Sequence, residues 1–562
     1  MNIKMKNIRN GLYILMLVCL FSAKNALSQQ DYVVPIIEAY APTISDASKI
    51  NENPQIIDTV YTKSKMFYVY HSKQYEGFSY SPDPIKPAKM QPDRLVKLYQ
   101  NYLRAGGGNK TTSYLEYDYN SPRLKSYMYG VHLKHLSSSG KIKGYAVSGN
   151  SDNDINIYGK KFTNNHTYYG SVDFNRTAVR YYGFQPGDSL AYNKKDIKQW
   201  YINTGFTTGV KSAYLDSSSL NHSAEFSYYH FMDKSNSSED NFRLNGNINK
   251  DFHFLKFTKV QNIGVDLFAD IYNNNDSTLM TGNGVLKLMP YIKSKYSIFD
   301  IKLGFNADFK LDVTSEIKMY PMVNVGADLI PHYLYAFAGI TGGSKKVSYK
   351  ETCMENPFVS SILPFKFSNT KTEIFGGIKG NIFSDLSFNL NSSYSVIDSM
   401  PFFSTIYDPT LFVNGSNKFT LIYDNVELLK GKAELTYRMG EKLKLTVGGD
   451  YYSYTMKTEL KPWYKPAYDS YLSFDYSLQN KIIVKGDIYY YGDIYGKTVD
   501  SKAMLLKGYV DANIGLEYRY SKILSAFVNI NNLTAVNNRY YKWLNYPSYK
   551  INFLAGITYS FR

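Results

Sequence analysis

The sequence predicts an all-β protein: a transmembrane antiparallel β-barrel of about 22 strands preceded by an extended N-terminal segment. Three observations carry this. The last dozen residues alternate: Ile551, Phe553, Ala555, Ile557, Tyr559 and Phe561 are apolar or aromatic, while Asn552, Thr558, Ser560 and Arg562 are polar. That period of two gives one greasy and one wet face, ending in two aromatics. The same alternation recurs along the chain. Phe299, Ile301, Leu303, Phe305, Ala307 and Phe309 interleave with Asp300, Lys302, Asn306, Asp308 and Lys310. Charges at that density do not enter a dry core, so one face stays wet along each strand. Third, the composition is polar overall (mean hydropathy −0.35) yet holds 56 Tyr and 32 Phe. Lipid-facing alternate positions and aromatic girdles use residues in this way.

The first element, 1–28, reads as a secretory signal peptide. Lys4, Lys6 and Arg9 make a positive start, Gly11 to Phe21 is a short apolar run, and Ala26-Leu27-Ser28 offers a small-residue cleavage site. A lipoprotein reading through Cys19 fails, because Leu17 and Val18 precede it where small residues are needed. Beyond Ser28 no run of eighteen apolar residues occurs, which excludes helical spanning. Cys353 is then the one remaining cysteine, so no intrachain disulfide forms; in its polar surroundings it reads as an inert thiol. Removing Lys4, Lys6, Arg9 and Lys24 with the signal lowers the net charge from +16 to about +12. The lysines form no block and alternate with apolar residues, so nucleic acid is not the expected partner. Acidic lipid headgroups or glycans are simpler ones.

Residues 29–94 form the second element, an extended segment and Pro-rich linker. Val33 to Ala41 is apolar and punctuated by Pro35, and Pro82, Pro84, Pro87 and Pro92 follow in quick succession. The segment is too short and too broken for a globular domain. It is expected to act as a strap along the lumen or at its inner mouth, helped by the two longest loops, because a lumen of about 22 strands is too wide to leave empty.

The third element, 95–562, is the barrel. Strands are expected at 95–106, 111–120, 125–138, 153–164, 167–183, 199–211, 221–233, 239–252, 256–272, 282–295, 299–311, 315–329, 333–343, 371–383, 385–397, 428–439, 442–456, 469–479, 481–493, 505–519, 522–531 and 548–562. The segment from Asp93 to Gly106 also fits a helix. Short turns fall at Ser121-Pro122, Asn165-His166, Gly440-Glu441, Gln479-Asn480 and Ser521-Lys522. Long loops fall near 139–152, 184–198, 344–370, 398–427, 494–504 and 532–547. Short turns on one rim and long loops on the other is the asymmetry of an outer-membrane barrel, with the chain end on the short-turn side. Leu303, Phe305, Val323 and Val325 are expected to face lipid, and Lys302, Asn306, Asn324 and Asp328 the lumen.

No enzyme constellation stands out, and no catalytic, cofactor-binding or metal site is expected. His132 and His135 are three apart and so face opposite sides of a strand. His222 and His230 are a strand length apart, and Asp251 with His253 marks a polar turn. Gly106 to Thr111 lacks the Gly-Lys pair of a phosphate loop and reads as a glycine-rich hairpin turn. Asp152 and Asp154 read as a solvated loop.

The C-terminal stretch resembles the end of a TonB-dependent receptor barrel. The residues are Asp511 to Arg519, Val528 to Leu533 with its Asn-Asn-Leu turn, Asn538 to Trp543, Tyr546-Pro547, and Asn552 to Phe561. The resemblance implies a barrel of the bacterial outer membrane. That family also carries a folded plug domain, larger than the stretch 29–94 and with a compact βα pattern absent here. Asp31 to Ile37 resembles a TonB-contacting box no more than any short apolar segment does. The chain is therefore expected to be a plugless relative, acting as a channel or as a membrane subunit of a larger envelope assembly. Its expected partners are outer-membrane lipid and envelope proteins or a separate plug. The alternative is an active TonB-dependent nutrient transporter with a separate or vestigial plug.

Overall fold

The computed structural model describes residues 98–562 except 187–192, 215–218, 255, 257, 259, 277–279, 313, 407–416 and 537–539. The signal peptide, the segment 29–94 and its expected strap role lie outside the described residues. The strands run β1 Asn101–Gly108, β2 Thr112–Asn120, β3 Tyr127–Ser138, β4 Asn150–Phe162, β5 His166–Arg180, β6 Lys198–Ser212, β7 Asn221–Asp233 and β8 Ser238–Phe252. They continue as β9 Gln261–Asn275, β10 Met280–Tyr296, β11 Phe299–Leu311, β12 Glu316–Ile330, β13 Leu334–Lys346, β14 Phe367–Phe383, β15 Leu386–Ile406 and β16 Lys418–Met439. The last are β17 Leu443–Met456, β18 Tyr468–Leu478, β19 Ile482–Tyr491, β20 Ile494–Lys497, β21 Ala503–Leu506, β22 Tyr509–Arg519, β23 Leu524–Asn531, β24 Tyr541–Trp543, β25 Tyr546–Pro547 and β26 Asn552–Phe561.

Twenty-two of these form one sheet in which each strand pairs antiparallel with its chain neighbour. β26 pairs with β1 from Asn101↔Phe561 to Gly108↔Leu554, closing the barrel and leaving no edge. The hairpins β20–β21 and β24–β25 stand apart from the wall. Both ends of the wall, the start of β1 and the end of β26, lie at the short-turn rim. There, connections such as Ser297-Ile298, Ser384-Asp385 and Gln479 to Lys481 join the strands. The opposite rim carries the long connections 139–149, 181–197, 347–366, 492–508 and 532–551.

Register confirms the facing read from the sequence. Leu303 pairs with Val323 and Ile301 with Val325, while Lys302 pairs with Asn324 and Asn306 with Tyr320. The first set is outward: Leu303 is 51% and Phe305 42% exposed, apolar surface that only lipid covers. The second set is inward, among polar and charged neighbours. Lys302 lies 3.5 Å from Asp266, Arg243 3.1 Å from Asp270 and Lys287 3.7 Å from Asp308.

The differences from expectation concentrate at the long-loop rim. The region 398–427, expected as a loop, is largely strand: β15 and β16 stay paired from Met400↔Asp424 out to Ile406↔Lys418. A register shift between Ile397 and Met400, with Ser399 at φ 56°, breaks the phase. Beyond it Phe402 and Phe403 are both buried, so the hairpin is covered on two faces and alternation vanishes. Residues 505 and 506, expected to begin the strand 505–519, instead end the loop hairpin strand β21, Ala503–Leu506. The chain turns at Gly508, whose N–H donates to Asp493 at 2.6 Å. Asp152 and Asp154 lie in β4 rather than in a loop, opposite Thr177 and Asn175. Gly106 to Gly108 end β1 and turn through Lys110 and Thr111 at positive φ, the glycine-rich hairpin expected. The helix alternative for 93–106 fails where it can be seen, since β1 begins at Asn101.

Candidate functional site at the long-loop rim

The long loops do not hang free; they fold together over the barrel mouth. A single apolar core joins Tyr201 and Phe231 of β6 and β7, Val359 and Leu363 of the 347–366 loop, Phe402 of β15, Phe419 and Leu421 of β16, Trp463 of the 457–467 loop, and Trp543 and Tyr546 of the 532–551 loop. Phe402, Phe419 and Val359 are 0% exposed, as in a domain interior. Three loops meet at its centre. Phe358 stacks on Tyr546 with centroids 3.7 Å apart, and Tyr182 meets both edge-on at 5.8 and 4.9 Å. These loops leave the wall between its fifth and sixth, thirteenth and fourteenth, and last two strands, spacings of eight, eight and six around a 22-strand circle. Side chains rooted so evenly touch only by reaching across the mouth. Their contact makes a lid.

Buried polar groups fix the lid. Tyr181 O–H donates to the Val359 carbonyl at 2.8 Å and Tyr201 O–H to that of Pro357 at 3.0 Å. Asn417 donates to the Tyr181 carbonyl at 3.2 Å, and Tyr546 O–H donates back to the Asn417 carbonyl. The 347–366 loop adds a parallel bridge beside β16: the Phe419 N–H donates to Phe358 at 3.1 Å and the Ser360 N–H to Phe419 at 2.8 Å. Gly183 sits where a Cβ would fall 2.7 Å from the Tyr546 ring, so a side chain there would push the central tyrosine aside.

Two carboxylates from the wall hold the 347–366 loop down. It contains a short helix, α1, Tyr349–Glu355, capped by Ser348, whose side chain accepts from the Glu351 N–H. Glu239 of β8, fully buried, accepts from the Tyr349 N–H at 2.7 Å, the Lys350 N–H at 3.2 Å, Ser348 Oγ at 2.6 Å and Asn274 at 2.9 Å. It thus satisfies backbone donors that the first helical turn leaves unpaired. Asp233 of β7 accepts from Gln199 and from Tyr349 O–H, both at 3.0 Å, and from Ser361 Oγ. Cys353, expected in polar surroundings, lies in the lid core at 3% exposure, and burial pushes its thiol well above its ordinary range. Burial likewise raises the Tyr349, Tyr464 and Tyr546 hydroxyls.

Below the lid the wall is polar. A cavity of about 690 Å³ near the short-turn rim is lined by Asp251, Asn262, Tyr291, Lys293, Lys295 and Lys302 among others. The residues weighed for chemistry are dispersed. His132 faces Asp118 at 2.6 Å, while His135, on the other face, meets Asn153 at 2.7 Å. His230 meets Asp240 at 2.8 Å, and His222 lies 3.2 Å from His166 at the short-turn rim, a pair that no spacing signals. Asp251 accepts from Asn262 at 2.7 Å beside the turn that holds His253. Glu116, Asp118 and His132 place their donor atoms within 4.8 Å of one another, from neighbouring strands, and Glu116 already accepts from Tyr114 at 2.6 Å. The two longest loops were expected to help close the mouth, but their interlocking contacts and α1 were missed, although the run Ser348-Tyr349-Lys350-Glu351 carries the spacing of a capping box that marks α1.

No protein-family model matches the sequence, and no curated protein matches it. Solved structures share the fold. The siderophore receptor PirA from Acinetobacter baumannii is 13% identical with a TM-score of 0.61, covering 82% of this chain and 80% of that one. The ferric-catecholate import receptor Fiu from E. coli K12 is 11% identical with a TM-score of 0.60, covering 83% and 82%. The FpvAI–pyocin S2 complex gives 12% and 0.61, covering 82% and 73%. These neighbours are TonB-dependent siderophore receptors, and the barrel resembles theirs. A closed 22-strand barrel with an apolar outer face is an architecture of the bacterial outer membrane.

Proposed function

We propose that this chain is the sealed membrane subunit of a periplasm-facing envelope assembly, a plugless relative of the receptors it resembles, rather than an open channel. The lid carries the reading. Its three central loops interlock at Tyr182, Phe358 and Tyr546, so none can leave without exposing the aromatic faces of the other two. An open pore has no use for such a core. With the outer mouth covered, the polar lumen beneath is the surface a periplasmic partner would meet. No catalytic, cofactor or metal role is assigned, and outer-membrane lipid is the one partner common to every reading. Purification of the intact barrel in mild detergent should bring down a stoichiometric envelope protein, and the barrel alone should conduct poorly in planar bilayers. A steady, large conductance from the intact chain would return the channel reading. The second reading, an active TonB-dependent transporter with a separate or vestigial plug, is favoured by the receptor-like barrel. It requires that a separate plug co-purify, or that deleting 31–60 abolish uptake of a solute.

A further inference from the structure

Two imidazoles meet on the outside of the wall at the short-turn rim. His166 opens β5 and His222 lies at the start of β7, with β6 between them. Ser212, the last residue of β6, pairs with His166, and its Oγ accepts from the His222 N–H at 2.9 Å. The three residues form one row across three strands. His166 is in phase with Tyr168 and Val172, 46% and 53% exposed, so the row faces outward at the level of the inner membrane–water interface. Serine in the middle of the row is small enough for the two rings to reach over it. Their Nε2 atoms come within 3.2 Å of each other.

The hydrogen bonds define what those nitrogens offer. His222 Nδ1 lies 3.2 Å from the Leu220 carbonyl, which can only accept. The ring proton of neutral His222 therefore sits on Nδ1, and its Nε2 presents a bare lone pair to His166. In a tetrahedral site with Zn–N bonds of about 2.0–2.1 Å, two ligating nitrogens stand about 3.3 Å apart. That separation is already built here, and the Leu220 carbonyl is the outer partner that orients a ligating histidine. Tyr214 packs edge-on against His166 at 5.7 Å and lies 6.1 Å from His222, which holds both rings in place. His132 and His230 differ: each faces an aspartate, at 2.6 and 2.8 Å, whereas neither His166 nor His222 pairs with a carboxylate among the described residues.

We infer that His166 and His222 bind a divalent transition-metal ion of the kind imidazole suits, zinc foremost, with water in the remaining positions. His166 then carries its ring proton on Nδ1, and both Nε2 lone pairs converge on the ion. The ion staples β5 to β7 across β6 and holds Tyr214 and Leu220 at the rim. This goes beyond the reading above, which assigns no metal, and it is independent of the lid.

The test is calorimetric titration of the full chain, purified in detergent without a polyhistidine tag, with zinc chloride, and electron paramagnetic resonance of the same protein with copper(II). The parent should bind one zinc ion per chain, and the copper spectrum should show coupling to two imidazole nitrogens. H166Q and H222Q should each remove the zinc site. H132Q, which alters the Glu116–Asp118–His132 cluster, should leave it intact. Unchanged heat-modifiable gel mobility will show that each variant folds. The inference is overturned if the parent takes up no zinc, the result expected of two rings that merely share a proton. It is equally overturned if the H166Q/H222Q double variant binds zinc as tightly as the parent, if H132Q removes the binding, or if copper couples to one nitrogen only.

Discussion

Phe419 is the most informative side chain to remove. It is 0% exposed, its ring lies 5.6 Å from both Tyr464 and Trp543, and its backbone carries the bridge to Phe358 and Ser360. Phe419→Ala deletes a buried ring and leaves a cavity at the junction of three loops, at a cost of about 3–5 kcal/mol. If the lid opens as one unit, the open fraction rises by roughly 150- to 5,000-fold. Cys353 reports that opening directly. It lies within the same core, burial keeps its thiol protonated, and in a Cys19→Ser background it is the one cysteine of the chain. Alkylation by a maleimide should therefore be very slow in the parent and faster in Phe419→Ala by about that factor, while unboiled gel mobility stays the same. Phe419→Leu, which keeps most of the volume, should fall between. The reasoning is refuted if Cys353 in the parent reacts as fast as a free thiol, or if Phe419→Ala leaves its rate unchanged.

Other outcomes follow from the same structure. Glu239→Ala removes the acceptor of two backbone N–H groups and of Ser348, so the 347–366 loop should become protease-sensitive, whereas Glu239→Gln should do so far less. Burial raises the pKa of Cys353 and of Tyr349, Tyr464 and Tyr546, so the closed lid is stabilised below the ordinary values of 9.0 and 10.0 and loses that contribution as pH rises above them. Fluorescence of Trp463 and Trp543 should be flat from pH 6 to about 9 and shift on further alkalinisation. Phe305→Arg, on the lipid face, should destabilise the barrel by about 2–4 kcal/mol near the midplane, and Asn306→Arg on the lumen face should be much milder by urea titration in liposomes. In a Cys353→Ser background, a cysteine placed at Met354, 74% exposed on α1, should label on intact cells, and one at Gly440 in the opposite rim should not.

The wall was legible because most of its residues obey one rule: outward apolar, inward polar, period two. Leu303 and Lys302 report their own faces, and all 22 strands were expected near where they occur. The lid was not legible because its residues are covered on more than one side. Phe402 and Phe403 are adjacent and both buried, so neither a strand nor a helix period describes them. Tyr182, Phe358 and Tyr546 lie far apart in the chain, and nothing in the sequence couples them. Cys353 looked solvated because Glu351 and Glu355 flank it, yet one turn of helix carries it inward. The wall carboxylates that pin that helix, Asp233 and Glu239, read only as lumen polar groups.

The claim that the loops close the outer mouth is tested most directly by single-channel recording in planar bilayers. The full chain should be compared with a variant carrying Phe358→Ser, Phe419→Ser and Trp543→Ser. The intact barrel should be near silent and the variant should conduct in discrete steps. An intact barrel that conducts as freely as the variant, or a variant that stays as silent as the intact barrel, would contradict the lid as the seal.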